Sequence, residues 1–237
     1  MVLIKEVHTR REKKAFVKFP FSLYGDSPYW VPPIIKEELD TFNPKINPAF
    51  NQAEARFFLA YRGKKLVGRV AAIINWTEVR DLGQQKIRFG WMDFEDDTEV
   101  SGALLAAVAE WGSTHQMQYM EGPMGFTNLD KVGVLTEGFE EMGSMVTWYN
   151  HPYYAVHLKA HGLQVEKQYI ESRFSIKDID PAFFKRVQSV IRRRYNHSPL
   201  NPATTAELLP RVDEMFELFN ATYSRLSSFV PVSEEQK

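Results

Sequence analysis

The sequence predicts an α+β protein in which helices flank a central, twisted and mostly antiparallel sheet. Strand-like apolar runs alternate along the chain with amphipathic helical patterns, which is the mixture of elements typical of that class. Two of the runs, residues 55–61 and 66–76, are joined by a short turn at Gly63 and therefore predict an antiparallel hairpin. Hydrophobic residues make up 44% and aromatic residues 14% of the 237-residue chain, which is enough to build a packed core.

The N-terminal part predicts a strand and two helices ahead of the hairpin. Residues 2–7 alternate with the period of a strand. Residues 10–23 place their apolar side chains on one helical stripe, and Pro20 is expected to kink or end that helix. Residues 34–42 follow a pair of prolines, which favours the start of a helix. The proline- and asparagine-rich residues 43–51 predict a loop.

The part after the hairpin continues with strands and helices in alternation. The predicted elements are strands at residues 87–94, 117–121 and 163–174 and helices at residues 98–115 and 152–161. The longer helix has one apolar face, formed by Val100, Leu104, Leu105, Val108 and Trp111. Glycines punctuate residues 122–147, which are predicted to be mostly loop.

Charge and composition argue against several classes of partner. The chain has 29 Lys plus Arg and 30 Asp plus Glu, so it has no general attraction for nucleic acid or for an anionic membrane. It contains no cysteine, which removes disulfides and thiolate chemistry. His157 and His161 are spaced like metal ligands, but no third ligand is evident, so no metal is expected. No apolar run is long enough to span a membrane, and the N-terminus lacks the pattern of a signal peptide, so we expect a cytoplasmic protein.

Three segments resemble the GNAT superfamily of acyl-CoA N-acyltransferases. They are the hairpin FFLAYRGKKLVGRVAAI, the helix SGALLAAVAEWGSTHQM and the closing unit YYAVHLKAHGLQVEKQY. The segments NPAFNQAEARFFLAYR, EGPM and YNHPYYAVHLKAHGL are similar, more closely, to an uncharacterised bacterial group that usually carries two GNAT-like units in tandem. The resemblance covers about three quarters of the chain, and it implies a GNAT-like domain over residues 1–174.

The remaining residues, 175–237, are predicted to begin a second, incomplete GNAT-like unit. Residues 190–195 parallel the first strand, and residues 208–226 parallel the first helix. Residues 227–235 repeat the pattern of residues 27–38. An unfinished unit exposes an apolar face, which favours self-association as a homodimer. Chance similarity between two amphipathic helices is the alternative explanation.

The resemblance implies binding of acetyl-CoA or another acyl-CoA at the start of helix 98–115. Backbone N–H groups around Asp97, Thr98, Ser101 and Gly102 would hold the coenzyme's diphosphate there. The superfamily has glycines at the positions of Glu99 and Ser101, and a glutamine or arginine at that of Asp96. Carboxylates in this turn repel a diphosphate. The strand–turn–helix arrangement thus resembles a coenzyme site, whereas the charge of the turn opposes coenzyme binding. The alternative is structural, with Asp97 or Thr98 simply capping the helix.

The catalytic candidates come from two elements that the resemblance singles out. The superfamily often places a tyrosine acid on the closing helix, where this chain has Leu158; Tyr154 or His157 nearby can substitute. The superfamily also places a carboxylate base on the strand before the turn, and Asp93 and Glu95 fit that position. The alternatives are ordinary ones: a packed tyrosine with its hydroxyl at the rim, and a solvated end of a strand.

Two other features have both a functional and a structural explanation. The long loop over residues 122–143 and the adjoining segment offer Thr127, Asn128 and Trp148 as substrate-binding residues, or they simply cover the core. The basic residues between 185 and 194 are better explained as a strand with a solvated face than as a nucleic-acid site.

The resemblance implies an enzyme that moves an acyl group from acyl-CoA to the amine of a small molecule or a protein. The acidic turn and Leu158 favour an alternative, a catalytically inactive GNAT-like module that binds a different ligand or regulates a partner. A protein-interaction scaffold built from the tandem repeat is a third hypothesis.

Overall fold

The structure, a computed structural model, describes residues 1–127, 129–226 and 228–237. Contacts within the chain divide it into two units. The first comprises Met1–Gln164 and Thr222–Gln236, and the second comprises Val165–Ala221 with Lys237.

One sheet organises the first unit. The strands in the described residues are Leu3–Glu6 (β1), Ala53–Arg62 (β2), Lys65–Asn75 (β3), Lys86–Phe94 (β4) and Tyr119–Glu121 (β5). They lie side by side in chain order, and every neighbouring pair is antiparallel except β4 and β5, which run parallel. This arrangement confirms the predicted class, and the β2–β3 pair confirms the hairpin.

Helices cover both faces of this sheet. They are Arg10–Tyr24 (α1), Ile35–Thr41 (α2), Trp76–Arg80 (α3), Thr98–Thr114 (α4) and Tyr153–Ala160 (α5). A capping box formed by Thr9 and Glu12 starts α1, which continues through Pro20 as far as Tyr24. The short α3 was not predicted; the side chain of Asn75 starts it by accepting hydrogen bonds from the next turn.

The core has two layers. Helix α4 buries its predicted apolar face, from Val100 to Trp111, in one layer together with Phe89 and Phe94 of β4. Helix α1 contributes Phe16 to the opposite layer, which contains the core side chains Phe16, Val17, Phe42, Leu59, Ile73 and Trp91. The sheet therefore separates an α4 side from an α1–α2 side.

The side chains of strand β4 change to the other face of the sheet at a bulge. The β3–β4 register shifts between Arg69 and Ala71, and Trp91 opposite has a φ of 43°, a conformation that few residues other than glycine adopt. Phe89 faces the α4 side, Trp91 the α1–α2 side, and Phe94 the α4 side again. The bulge thus places Asp93 on the same side of the sheet as Trp91.

Beyond residue 164, the described part of the chain contains helices and no strand. The helices are Pro181–Tyr195 (α6), Thr205–Leu208 (α7) and Val212–Tyr223 (α8), with one short 3-10 turn before α6 and another between α7 and α8. The strand predicted at residues 163–174 is wrong: these residues form neither a strand nor a helix, because a strand needs a neighbouring strand to pair with.

The strand predicted at residues 190–195 is also wrong. These residues form the last turns of helix α6, which begins at Pro181 after the cap at Asp180 and ends at Asn196 in the left-handed conformation. Helix α8 lies within the predicted helical region 208–226. The assignment of residues 175–237 to a second GNAT-like unit stays a prediction. Across the described ranges, no helix has the length and hydropathy to cross a membrane.

Candidate functional site

A buried polar cluster surrounds Asp93 in the middle of the first unit. Arg69 of β3 binds one carboxylate oxygen through Nε at 2.8 Å and a second guanidinium nitrogen at 2.7 Å. Tyr24 donates to the other oxygen at 2.7 Å, and Tyr154 donates to it at 3.2 Å. All four residues are at most 5% exposed. Asp93 is therefore a charge held in place by a cation and two hydroxyl groups, rather than a solvated strand end.

The two tyrosines of the Asp93 cluster touch each other as well. Their hydroxyl oxygens are 2.5 Å apart. Burial raises the pKa of both phenols well above the usual value, and the negative charge of Asp93 adds to the effect. Tyr24 and Tyr154 therefore remain neutral and can pass a proton along the chain of hydroxyl groups.

Helix α5 closes the end of β4. The Phe94 amide donates to the Tyr154 hydroxyl at 3.1 Å, and the Phe94 carbonyl accepts from Tyr153 at 2.6 Å. Strand β5 pairs with β4 only as far as Arg88, so these groups have side-chain partners instead of a neighbouring strand. A hydroxyl partner can be exchanged for a ligand oxygen more readily than a paired strand can.

The predicted coenzyme turn is occupied by internal bonds. Asp97 caps α4 by accepting from the amide of Glu99, as the structural alternative predicts. Arg62 at the end of β2 pairs with Asp97 and with Glu99, the latter at 2.8 Å. The hydrogen bond from Arg62, and a second from the Val2 amide, hold the pKa of the Glu99 carboxyl below its usual range. The carboxylates therefore keep their charge, and they do so at the place where a diphosphate would lie.

His157 of α5 and His161, at the C-terminal cap of that helix, cover the next turn of α4. Ser101 Oγ lies 3.0 Å from His157 Nδ1 and 2.8 Å from His161 Nε2. His157 Nε2 lies 2.9 Å from the Asp96 carboxylate. A Cβ atom on Gly102 would come within 2.9 Å of the His161 ring. Although serine, histidine and aspartate are in contact, the serine is fully buried, so its oxygen is not accessible to a substrate.

A second group of polar residues lies on the α1–α2 side, beside Trp91. Trp91 and Trp148 meet edge to face with ring centroids 5.8 Å apart, and Lys131 Nζ lies 5.3 Å from the Trp148 ring. Within the described residues, both indole N–H groups are buried without a hydrogen-bond acceptor. The Trp91 indole lies near the Glu38 carboxyl and favours the ionised form of that carboxyl, although the two groups do not form a hydrogen bond.

Burial shifts the charged groups of this side. It raises the pKa of Glu38 and lowers the pKa of Lys131, each against the partial compensation of nearby opposite charge. Unpaired indole donors beside two partly desolvated ionisable groups are polar features of the kind that orient a bound ligand. We call Glu38, Trp91, Lys131 and Trp148 the indole cluster.

The other predicted residues lie apart from these clusters or have local partners. Glu95 is bound to Lys65 at 2.6 Å on the hairpin, away from Asp93. Thr98 is an exposed residue in the first turn of α4. Thr127 bonds Asp130 through its amide at 2.8 Å, which makes it part of a turn. Asn128 lies outside the described residues.

Sequence reasoning did not find Tyr24 or Arg69, which complete the Asp93 cluster. Tyr24 is 69 residues from Asp93 and Arg69 is 24 residues away, so no local spacing links them. An arginine in an otherwise apolar central strand was the available signal, because a charge there needs a buried partner. The same reasoning applies to Arg88 of β4, which binds Glu78 twice, at 2.8 and 2.7 Å.

The chain is similar to two curated bacterial proteins, while no protein-family model matches it. It is 26% identical over 236 residues to Protein YghO of Escherichia coli (strain K12), covering 99% of the chain and 59% of that protein. It is 34% identical over 163 residues to Bacterial ceramide synthase of Caulobacter vibrioides (strain NA1000 / CB15N), covering 68% of the chain and 41% of that protein. The chain thus spans about half the length of these relatives.

Solved structures to which the chain is similar include a GNAT protein and acetyltransferases. One is a tandem GNAT protein from the clavulanic acid biosynthesis pathway, with a TM-score of 0.45, 15% identity, and coverage of 68% of this chain and 43% of that one. Another is a predicted acetyltransferase from Clostridium acetobutylicum, with a TM-score of 0.44, 14% identity, and coverage of 73% and 96%. The resemblance to GNAT proteins predicted from the sequence thus has a counterpart among solved structures, as a likeness of fold.

Proposed function

We propose that the first unit transfers an acyl group to a primary amine, and that the amine belongs to a long-chain amino alcohol. The observation that carries this proposal is the continuous path from Asp93 through Tyr154 to the Phe94 amide. Amide formation requires a group that takes a proton from the amine and an N–H donor for the oxygen of the acyl group. The path contains both, within one buried cluster.

The name of one relative supports the choice of acceptor. The Caulobacter protein, 34% identical over 163 residues, is called a ceramide synthase. A ceramide is the amide of a fatty acid and a long-chain amino alcohol, so a synthase that forms the amide bond is an N-acyltransferase. Because this chain covers 41% of that protein, the activity is proposed for the chain rather than transferred to it.

The chain's own residues fit only one end of a coenzyme A thioester. At the α4 N-terminus, Asp97 and Glu99 oppose a diphosphate, and Ser101 is bonded to two histidines. At Phe94, the amide that would donate to a thioester oxygen is present but bonded to Tyr154. The diphosphate therefore does not fit this turn. A thioester supplies an activated acyl group.

The proton roles follow from the hydrogen bonds. Tyr154 can accept a proton from the amine while its own proton moves to Asp93, so it stays neutral throughout. The new C–N bond would replace the C–S bond of the thioester, and the proton held by Asp93 would return through Tyr154 to the departing thiolate, which leaves as a thiol. Arg69 fixes the other carboxylate oxygen, and Tyr24 fixes the orientation of the first. Arg69 and Tyr24 are therefore positioning residues, whereas Tyr154 would touch the reacting amine.

The test is an N-acylation assay on the whole chain. Acyl-CoA is offered with a long-chain amino alcohol, or with an aminoglycoside, and the N-acyl product is measured by mass spectrometry. We expect product with the long-chain acceptor and a loss of about 10²- to 10⁴-fold in Tyr154→Phe. Glu95→Gln, which removes an exposed carboxylate from the same strand end, is the matched control and should retain activity.

The second candidate is a catalytically inactive module that binds a different ligand. The internal bonds of the α4 N-terminus and the apolar Leu158 favour it. It predicts no product and no binding of acyl-CoA at millimolar concentration in a calorimetric titration. That result would reject acyl transfer by this chain.

A further inference from the structure

Helix α6 is amphipathic, and its apolar face is uncovered. Phe183, Val187, Val190 and Ile191 recur at helical spacing and form one stripe together with Phe184. The exposed fractions of these five side chains run from 37% for Val187 to 57% for Phe184 and Val190. None of the residues of α6 is buried. A contiguous apolar stripe of this kind marks an interaction surface.

The polar side of α6 is strongly basic. It carries Lys185, Arg186, Arg192, Arg193 and Arg194, and the helix contains no acidic residue. Asp180, which caps the helix, lies 3.8 Å from Arg186 and is the adjoining counter-charge. Helix α8 is also amphipathic, but it is acidic: it carries Asp213, Glu214 and Glu217 and has no Lys or Arg. The basic character therefore belongs to α6 and not to helices of this region in general.

We propose that α6 binds the surface of an anionic lipid bilayer and lies in the plane of its headgroups. The apolar stripe enters the boundary between headgroups and acyl chains, and the cations lie among the lipid phosphates and carboxylates. Each cation near such a surface strengthens binding by about fivefold at low salt. Charge complementarity selects this partner over a neutral apolar one.

A nucleic acid fits the observations less well. Its phosphates would engage the cations, but they offer nothing to the apolar stripe, which includes two phenylalanines side by side. The proposal departs from the expectation that the chain has no membrane partner. That expectation rested on the balance of charge over the whole chain, which has a net charge of −1, and on the lack of an apolar run long enough to span a membrane. The proposal is independent of the acyl-transfer function.

The test is cosedimentation of the whole chain with vesicles. One set is phosphatidylcholine alone, and the other contains phosphatidylcholine and phosphatidylserine in equal amounts. We expect at least tenfold tighter binding to the anionic vesicles at low salt, and loss of that difference at high salt. Arg192→Gln with Arg193→Gln, and separately Phe183→Ser with Phe184→Ser, should each weaken binding at least tenfold.

The matched control is Met215→Ser with Leu218→Ser, which removes exposed apolar side chains from the acidic α8. It should bind anionic vesicles as the unaltered chain does. All the altered side chains are exposed, so circular dichroism should show unchanged helix content. Equal binding to both vesicle types, no binding to either, or an equal loss in the control overturns the proposal. So does an oligomer or a complex with duplex DNA that forms through Phe183 and Phe184 while the vesicles remain unbound.

Discussion

Replacing Arg69 by methionine should strongly destabilise the first unit. Methionine keeps an unbranched apolar chain but removes the guanidinium, which makes contacts of 2.8 and 2.7 Å to Asp93. The carboxylate, in a residue that is 5% exposed, is then left with hydroxyl partners only. Removing one member of a buried pair costs about 3–5 kcal/mol. At about 2–4 °C for each kcal/mol in a unit of this size, the midpoint of thermal unfolding should fall by roughly 6–20 °C.

Tryptophan fluorescence is a suitable assay, because all the tryptophans belong to the first unit. They are Trp30, Trp76, Trp91, Trp111 and Trp148. Fluorescence during heating and during urea denaturation therefore follows the unit that contains Arg69.

The control is Arg56→Met on the neighbouring strand. Arg56 pairs with Glu6 at 3.3 Å, but the two side chains are 47% and 29% exposed. An exposed pair contributes about 0–1 kcal/mol. If Arg69→Met costs no more than Arg56→Met, the Asp93 cluster does not depend on its charge pair, and the reasoning fails.

Three further predictions concern other parts of the first unit. Burial raises the pKa of the Glu38 carboxyl above its unfolded-state pKa of 4.5. The stability that this group contributes is therefore present below pH 4.5 and is lost as the pH rises through the pKa of the folded state. Glu38→Gln should raise the melting temperature by a few degrees near neutral pH and leave it unchanged near pH 4. A Cβ atom on Gly90 would come within 2.2 Å of the Met124 carbonyl oxygen, so Gly90→Ala should cost about 1–3 kcal/mol in urea denaturation. Glu99→Gln should strengthen coenzyme A binding in a calorimetric titration, because it removes a negative charge that repels a diphosphate at the N-terminus of α4, whereas Glu110→Gln on the same helix should change nothing.

The sequence was informative wherever a segment is long and its pattern is local. The β2–β3 hairpin and the buried face of α4 follow from period and turn chemistry alone. Residues 163–174 show why the remaining elements were harder to predict. Their apolar content suits a strand, but a strand forms only against a partner, and the partner is not a local property. At residues 190–195, Val190 and Ile191 suggested a strand, whereas the cap at Asp180 started a helix that includes them.

The candidate site was predictable only in part, because its contacts join distant segments. Asp93 was identified from its place on the strand before α4, and the capping role of Asp97 from its place at the helix start. Pairing with Arg69 depends on the β3–β4 register, and the register depends on the bulge at Trp91. A bulge shifts every later side chain to the other face, which a count along one strand cannot reveal.

Helix α5 contacts both the end of β4 and the start of α4. Its Tyr153 and Tyr154 occupy the backbone groups of Phe94, and its His157 is bonded to Ser101 of α4. One helix therefore contacts both the backbone proposed to receive a thioester and the turn where the resemblance predicted a diphosphate. A thioester oxygen could accept from the Phe94 amide only if Tyr154 gave up its bond to that amide. The acyl-transfer proposal thus requires one hydrogen bond of Tyr154 to break, whereas binding a diphosphate at α4 would also require His157 and His161 to leave Ser101. The energetic difference between these two movements is the physical reason to expect a thioester bound mainly through its acyl end.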